Sequence, residues 1–304
     1  MGSIMKILAV VVTHNRCVLL SRAIDYLQAQ MRRPDHILVI NNGSEDDTEK
    51  MLATRSIDVI NQENVGSSGG WHRGIDYALN NGFDAVWLMD DDGFPDVAAL
   101  AVLESCLLPG VACASSVVIR EDDHNRFVFP FPVLDKNGLP VLIQYPRKLV
   151  SISDLHPLST DGTYPYAHFF NGALISVTSI RKVGNVELGF FIFGDEVDYF
   201  FRLRAVGRVI SVLPARHFHP DVSSRPYTSA KVYYFIKNTI ILNRRYFNAV
   251  WLRHALTLLA VLVRTARRNG LGMALSLLAG RQAPIFYGAI LRGLAGHIGN
   301  DFRG

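Results

Sequence analysis

Cysteine is scarce in this chain: Cys17, Cys106 and Cys113 are all that 304 residues contain. An odd number with no paired metal-ligand spacing argues against a disulfide framework and against a cysteine-built zinc site, and a reducing compartment is the expectation. Long hydrophobic runs are missing as well. No stretch approaches the ~18 consecutive apolar residues that span a bilayer, and the apolar segment 7–12 is too short for a signal-peptide core. A soluble or membrane-surface protein is expected. The G-x-G-x-x-G dinucleotide fingerprint is absent. The most uneven shortage is of acid: no Asp or Glu stands between Asp221 and Asp301.

What is present is ample apolar material, 49% of residues, for one large core or two. Residues 1–4 stand ahead of Met5-Lys6 and are left out of the fold reasoning. From residue 6 to about 118, short β-branched runs alternate with helix-period patterns, the mark of βαβ units around a parallel sheet. Runs 7–12, 36–40, 57–60, 85–89 and 111–118 read as strands, and 19–30, 47–53, 71–80 and 97–107 as helices. Right-handed crossovers place the carboxyl ends of such strands along one edge. Four polar loops converge there, beginning at Thr13, Asn41, Asn64 and Asp90. Open α/β sheets bind ligands beyond these strand ends, so this edge is the candidate active site.

The fourth loop carries the densest chemistry. Val86-Trp87-Leu88-Met89 runs straight into Asp90-Asp91-Asp92-Gly93. Three adjacent carboxylates repel one another and are stabilised by a cation. In an extended segment Asp90 and Asp92 share a face and Asp91 takes the other. Two oxygen ligands on one side suit Mn2+ or Mg2+, whose remaining positions go to water and substrate phosphates. A solvated acidic turn is the plainer alternative for an isolated triplet; the position at a strand end favours the metal. In the third loop Gly66, Gly69 and Gly70 let backbone approach a ligand, and a helix starting at Trp71 would offer N–H groups to an anion. The Asn and Ser groups of the second loop can bond base and ribose, while its Asp and Thr can cap a helix.

Taken in order, Thr13-His14-Asn15-Arg16, Asn41-Asn42-Gly43-Ser44-Glu45-Asp46-Asp47-Thr48, Asn64-Val65-Gly66-Ser67-Ser68-Gly69-Gly70-Trp71 and Trp87-Leu88-Met89-Asp90-Asp91-Asp92 resemble family 2 of the inverting glycosyltransferases. The resemblance runs on through His168-Phe169-Phe170-Asn171-Gly172, Phe193-Gly194-Asp195-Glu196-Val197-Asp198 and His217-Phe218-His219-Pro220, to about residue 245, and is nearest to the bacterial galactofuranosyltransferases. It implies an α/β fold of the nucleotide-diphospho-sugar transferase (GT-A) type with a mostly parallel central sheet. It further implies that Thr13 and Asn41 line the nucleotide pocket, Asn41 standing where many relatives carry Asp. Asp90 would face ribose or metal, Asp92 would ligate the metal, and His219 would complete the metal or diphosphate site. Asn171 and Gly172 would lie near the donor sugar. Asn15, Arg16, Gly69, Gly70 and Asp91, on the same edge loops, complete the expected donor side. His217 and His219 share one face of a strand-like segment, and one of them is expected simply to pack.

Inverting transfer is one in-line displacement at the anomeric carbon, so it needs a single general base on the acceptor hydroxyl and charge stabilisation on the departing diphosphate. Asp195, Glu196 and Asp198 follow the run Phe190-Phe191-Ile192-Phe193, whose dry surroundings would raise a carboxylate's pKa. Matching Arg202 and Asp198 to the family pattern puts Glu196 in the base position and Asp195 beside it. Asp198 is expected to cap the next helix and pair with Arg202 at i+4. Hydrolysis by a retaining carboxylate pair also fits two acids, but the convergent nucleotide loops argue against it.

Residues 119–165, rich in Pro and aromatics, read as an acceptor-side insertion within a catalytic domain 5–228, and 229–304 as a basic helical segment. In that last segment arginines such as Arg253, Arg264, Arg267, Arg268, Arg281 and Arg292 interrupt apolar helical runs, as in an interfacial helix facing anionic lipid. Nucleic acid is the less suitable partner for so apolar a face, and a helical subdomain is the ordinary alternative. The expectation is therefore a metal-dependent enzyme moving galactofuranose from UDP-galactofuranose to a lipid-linked or polysaccharide acceptor, peripheral to the cytoplasmic face of the cell membrane. A rhamnosyltransferase using dTDP-rhamnose shares these features. A sugar nucleotidyltransferase would want a glycine-rich basic loop after the first strand, and a non-catalytic sugar-nucleotide-binding module would lack the base carboxylates.

Overall fold

The structure, a computed structural model, describes residues 5–223 and 225–303; the extension 1–4 set aside above lies outside the described residues. The chain divides into two compact units, Met1–Val186 with Tyr199–Asp221 and Glu187–Asp198 with Val222–Gly304.

The first unit is built on strands β1 (Ile7–Thr13), β2 (His36–Asn42), β3 (Asp58–Gln62), β4 (Ala85–Asp90), β5 (Phe94–Pro95), β6 (Val111–Arg120), β7 (Arg126–Pro132), β8 (Lys148–Ser151), β9 (Thr163–Tyr164), β10 (Asn171–Ser176) and β11 (Arg208–His219). The central order is β3-β2-β1-β4-β10-β6-β11-β5. β1 to β4 are parallel neighbours and β6 runs parallel to β11, while β10 lies antiparallel between β4 and β6. Helices α1 (Cys17–Gln28), α2 (Thr48–Leu52), α3 (Gly66–Asn80), α4 (Ala99–Cys106), α5 (Ile152–Leu155) and α6 (Val177–Val183) connect them, and α7 (Asp195–Arg204) precedes β11. Period-2 alternation sends Leu8, Val10 and Val12 into one buried cluster and Ile7, Ala9 and Val11 into another on the opposite face. A sheet covered on both faces accounts for strands that read as unbroken apolar runs. Register aligns Thr13 with Asn41 and Val12 with Asp90, so the expected edge loops start level.

The third edge loop is not as expected. Gly66 to Gly70 form the first turns of α3, which starts five residues ahead of the Trp71 start read from sequence. A Cβ on Gly70 would stand 2.4 Å from Val12 Cγ1, and one on Gly74 2.4 Å from Val10 Cγ1. Gly70 and Gly74 let α3 lie directly on β1, a packing role that the loop reading of Gly70 had missed. In the insertion 119–165, β7 pairs with β8 and a separate cluster forms around Phe127, Phe131, Leu149, Leu155 and Tyr164.

The second unit holds α8 (Ser229–Tyr246), α9 (Val250–Asn269), α10 (Leu271–Ala279) and α11 (Ala283–Ala295). Its core gathers Val232, Tyr234, Ile236, Ile240, Val261, Leu277 and Phe286, with Phe191 and Ile192 packed against it. Phe190 joins Ile241 and Leu242 in an adjoining cluster. The boundary read at 228/229 is thus displaced: the apolar run before Asp195 belongs with the C-terminal helices, because its side chains are buried among theirs.

Candidate active site

At the carboxyl edge of the first unit, β4 ends at Asp90, and a turn carries Asp91 and Asp92 inward to near-complete burial. Thr13 Oγ1 donates to Asp91 Oδ2 at 2.7 Å, and the His14 backbone N–H reaches the same oxygen at 3.3 Å. Arg16 Nη1 stands 2.8 Å from Asp91 Oδ1 and 2.6 Å from Asp92 Oδ2. Burial pushes the Asp91 carboxyl above the usual carboxylate range, and Arg16 and the Thr13 hydroxyl pull it back. His219 Nε2 lies 2.9 Å from the other Asp92 oxygen, Oδ1, and its Nδ1 is 2.7 Å from the Pro220 carbonyl. The sequence therefore placed Thr13, Arg16, Asp91, Asp92 and His219 in one region, and the structure joins them into one network.

Two expectations need correction. Strand alternation does not carry beyond Asp90, because the chain turns there; Asp91 and Asp92 meet at Arg16 instead of pointing apart. Nor are Asp90, Asp92 and His219 assembled as a three-ligand site: among the described residues no group of three or more His, Cys, Asp or Glu side chains is placed to hold a metal ion. Asp90 is half-buried at the end of β4, its N–H bonded to Phe170 O at 2.7 Å. The pair Asp92–His219 does fit a divalent cation. A carbonyl only accepts, so His219 Nδ1 carries the hydrogen toward Pro220, and Nε2 is the nitrogen turned to Asp92. That is the second-sphere arrangement of a metal-ligating histidine, and one carboxylate and one imidazole leave the other positions to water and phosphate oxygens.

The other edge loops are tied to each other. Asn15 adopts φ 56, a left-handed conformation that Asn tolerates. Its N–H donates to Ser44 Oγ at 3.0 Å and its Oδ1 accepts from Glu45 N–H at 2.7 Å. Asn41 donates to Asn61 Oδ1 at 2.9 Å and accepts from Ser44 N–H at 3.2 Å. Asn42, in the same loop, accepts from Gln62 Nε2 at 2.9 Å and donates to Gly66 O at 3.0 Å, fixing the start of α3.

His217 is the packed histidine of the pair. It is fully buried, neither ring nitrogen has a hydrogen-bond partner, and burial lowers its pKa to about 3. Glycines flank it: a Cβ on Gly93 would meet its Nε2 at 2.3 Å, and one on Gly172 would lie 3.2 Å from Nδ1 and 2.9 Å from Ser116 Oγ. Asn171 Oδ1 and Ser116 Oγ are likewise buried without partners. Asn171-Gly172 thus sits in a tightly packed buried polar cluster with Ser116 of β6, His217 of β11 and Gly93 of the acidic turn, too far apart in sequence to be read together.

The candidate base segment belongs to the second unit. Asp195, at the start of α7, is 3% exposed, its Oδ2 has no partner, and burial, then the neighbouring Glu196 charge, raise its pKa to about 7. Glu196 is half-buried. Asp198 accepts from Tyr246 Oη at 2.6 Å and Arg245 Nη1 at 3.2 Å, while Arg202 Nη1 donates to the carbonyls of Val183 and Asn185, each at 3.0 Å.

A mixed sheet with a buried aspartate pair, a guanidinium and a histidine at its strand ends shares its fold with two solved glycosyltransferase structures. The crystal structure of GalNAc-T7 with UDP, GalNAc and Mn2+ superimposes with a TM-score of 0.60 at 14% identity, over 83% of this chain and half of that one. The mannosyltransferase PcManGT from Pyrobaculum calidifontis, in complex with GDP-Man and Mn2+, gives 0.54 at 14% identity over 96% and 87%. In sequence, Galactofuranosyltransferase GlfT1 of Mycolicibacterium smegmatis is 34% identical over 220 residues, 70% of either chain. Its namesake in Mycobacterium tuberculosis is 34% identical over 224 residues, covering 71% of this chain and 70% of that one. The profile of Glycosyl transferase family 2 matches residues 8–129. The chain belongs to this family: it is a glycosyltransferase of the GT-A fold, similar to galactofuranosyltransferases.

Proposed function

We propose that this enzyme moves galactofuranose from UDP-galactofuranose to a hydroxyl of a lipid-linked or polysaccharide acceptor, with inversion and with the help of Mn2+ or Mg2+. The observation that carries the reading is the 34% identity to GlfT1 across 70% of the chain. Asp92 and His219 would hold the cation, which when bound neutralises charge on the diphosphate leaving group. Arg16 keeps the Asp91 and Asp92 charges compensated on the same edge. Thr13, Asn15, Asn41 and Asp90 line the donor side, and Asn171 and Gly172 the sugar side. Glu196 is the base. Asp195 is closed off from solvent, whereas Glu196 is half-buried and the more accessible of the two, so it is Glu196 that an acceptor hydroxyl can reach.

We place the enzyme at an anionic membrane surface on the cytoplasmic side. Trp251, Leu259, Leu271, Leu275 and Leu291 are exposed on α9, α10 and α11, in a stretch free of acids, and this favours lipid over nucleic acid. No single helix among the described residues is long and apolar enough to cross a membrane; Leu271–Ala279 and Ala283–Ala295, bent by 62°, meet that test only together. The donor assignment is tested by nucleotide release from UDP-galactofuranose, UDP-galactopyranose, UDP-GalNAc and dTDP-rhamnose in the presence of Mn2+. Turnover of UDP-galactofuranose at least about tenfold above the rest is expected, a preference of about 1.4 kcal/mol. Preference for dTDP-rhamnose would replace this reading with the rhamnosyl one.

A further inference from the structure

The carboxylates at the start of α7 are preceded by a strained backbone. Phe191 has φ 58 and ψ −65, and Ile192 N–H donates to Phe190 O at 2.7 Å, which together define a γ-turn of the uncommon positive-φ form. Phe193 at φ 58 and Gly194 at φ 95 also lie in the left-handed region, where glycine is at ease and phenylalanine is not. The two phenylalanine conformations are unfavourable and persist only where the surroundings impose them.

Asn238, fully buried on α8, gathers the carbonyls of that turn. Its Nδ2, with two hydrogens, is shared among Phe190 O at 2.9 Å, Ile192 O at 2.9 Å and Phe193 O at 2.7 Å, one N–H being bifurcated. Its own Oδ1 is buried without a partner. An unmet buried acceptor is destabilising, so this amide is not placed there for its own satisfaction; what it offers is donors to the turn. The same helix confines the next residue, since a Cβ on Gly194 would lie 3.1 Å from Asn238 Cβ and 3.2 Å from Leu242. On the far side of the carboxylates, Tyr246 and Arg245 of α8 hold Asp198. Asp195 and Glu196 thus lie between two anchor points on one helix.

We infer that Asn238 is a positioning residue for sugar transfer: by binding three carbonyls of the strained turn it sets where the Asp195-Glu196 segment starts, and with it the place of the general base. The catalytic part of this inference rests on the reading of Glu196 as base, whereas the holding of the turn does not.

The test compares full-length wild type with Asn238→Asp, which keeps the side-chain size and turns oxygen toward the carbonyls, and with Asn238→Ser, which keeps one donor. Asn243→Ala serves as control, since Asn243 is a buried amide of the same helix that bonds His254 rather than the turn. Steady-state UDP release, donor affinity by calorimetry and amide hydrogen exchange across 190–198 are measured on each. Asn238→Asp should lower kcat about 100-fold with donor affinity kept within about twofold, as expected of a misplaced base. Asn238→Ser should lose less. Exchange at 191–196 should rise about tenfold in Asn238→Asp and stay unchanged in Asn243→Ala. The inference is overturned if Asn238→Ser, or Asn238→Asp where it folds, keeps wild-type kcat and exchange, or if the control loses kcat equally. If wild type releases UDP from no sugar nucleotide, the transferase reading fails, and the exchange comparison alone still decides whether Asn238 holds the turn.

Discussion

Asp195 holds a proton that an ordinary aspartate would have lost, because burial lifts its pKa to about 7 with Glu196 adding to the effect. A folded-state pKa above the unfolded value of about 3.9 stabilises the fold fully below pH ~4, and the contribution is lost as pH rises through about 7. Asp195→Asn, which cannot ionise, should therefore change stability little at pH 4 and raise it at pH 8, by up to about 4 kcal/mol. Denaturant unfolding at the two pH values checks this; an equal effect at both contradicts it. On the proposed assignment of Glu196 as base, the two residues answer differently to substitution. Glu196→Gln should lower kcat by about 10²–10⁴-fold with donor affinity intact, and Asp195→Asn should be milder. If Asp195→Asn is the inactive variant and Glu196→Gln turns over, the base is Asp195. On the metal side, Asp92→Ala should lose Mn2+ binding by calorimetry and most activity, since it removes one of the two side chains that fit the cation. Unaltered Mn2+ affinity contradicts the assignment.

Among the elements, α3 on β1 shows how one residue type can be read two ways. Glycines after a strand read from the sequence as a ligand-approaching loop or a plain turn, and the close packing they also permit carries no separate local signal. With Val12 and Val10 only 2.4 Å from the would-be Cβ atoms, Gly70→Ala or Gly74→Ala should destabilise by about 1–3 kcal/mol through overpacking. A melting curve that does not move rules this packing out. The parallel strands were legible because strands buried on both faces leave continuous apolar runs such as Ile7 to Val12. β10 was not, since an antiparallel strand inserted between β4 and β6 has no βαβ signature. The turn at Asp91 broke the strand alternation that placed Asp90 and Asp92 together, and the hold of Asn238 on the turn before Asp195 joins positions 45 to 48 residues apart, beyond any local pattern.

For the whole molecule, the acid-free C-terminal stretch holds both buried and exposed apolar helix surfaces, which a charge count does not separate. α8 is a core helix of the second unit: its Lys237 is fully buried, bonded to Asp301 at 2.5 Å and to Gly299 O at 2.8 Å. The exposed apolar residues stand instead on α9 to α11, with Trp251 74% exposed. Leu259→Glu with Leu275→Glu should cut sedimentation with anionic vesicles about tenfold, and salt should release part of the bound wild type by screening. Unchanged sedimentation contradicts membrane docking by this face. The central claim is inverting transfer of a five-membered-ring galactose, and NMR of the isolated product tests it most directly. The account predicts a galactofuranosyl residue whose anomeric configuration is opposite to that of the UDP-galactofuranose donor; a retained configuration, a pyranose ring or a rhamnosyl product would contradict it.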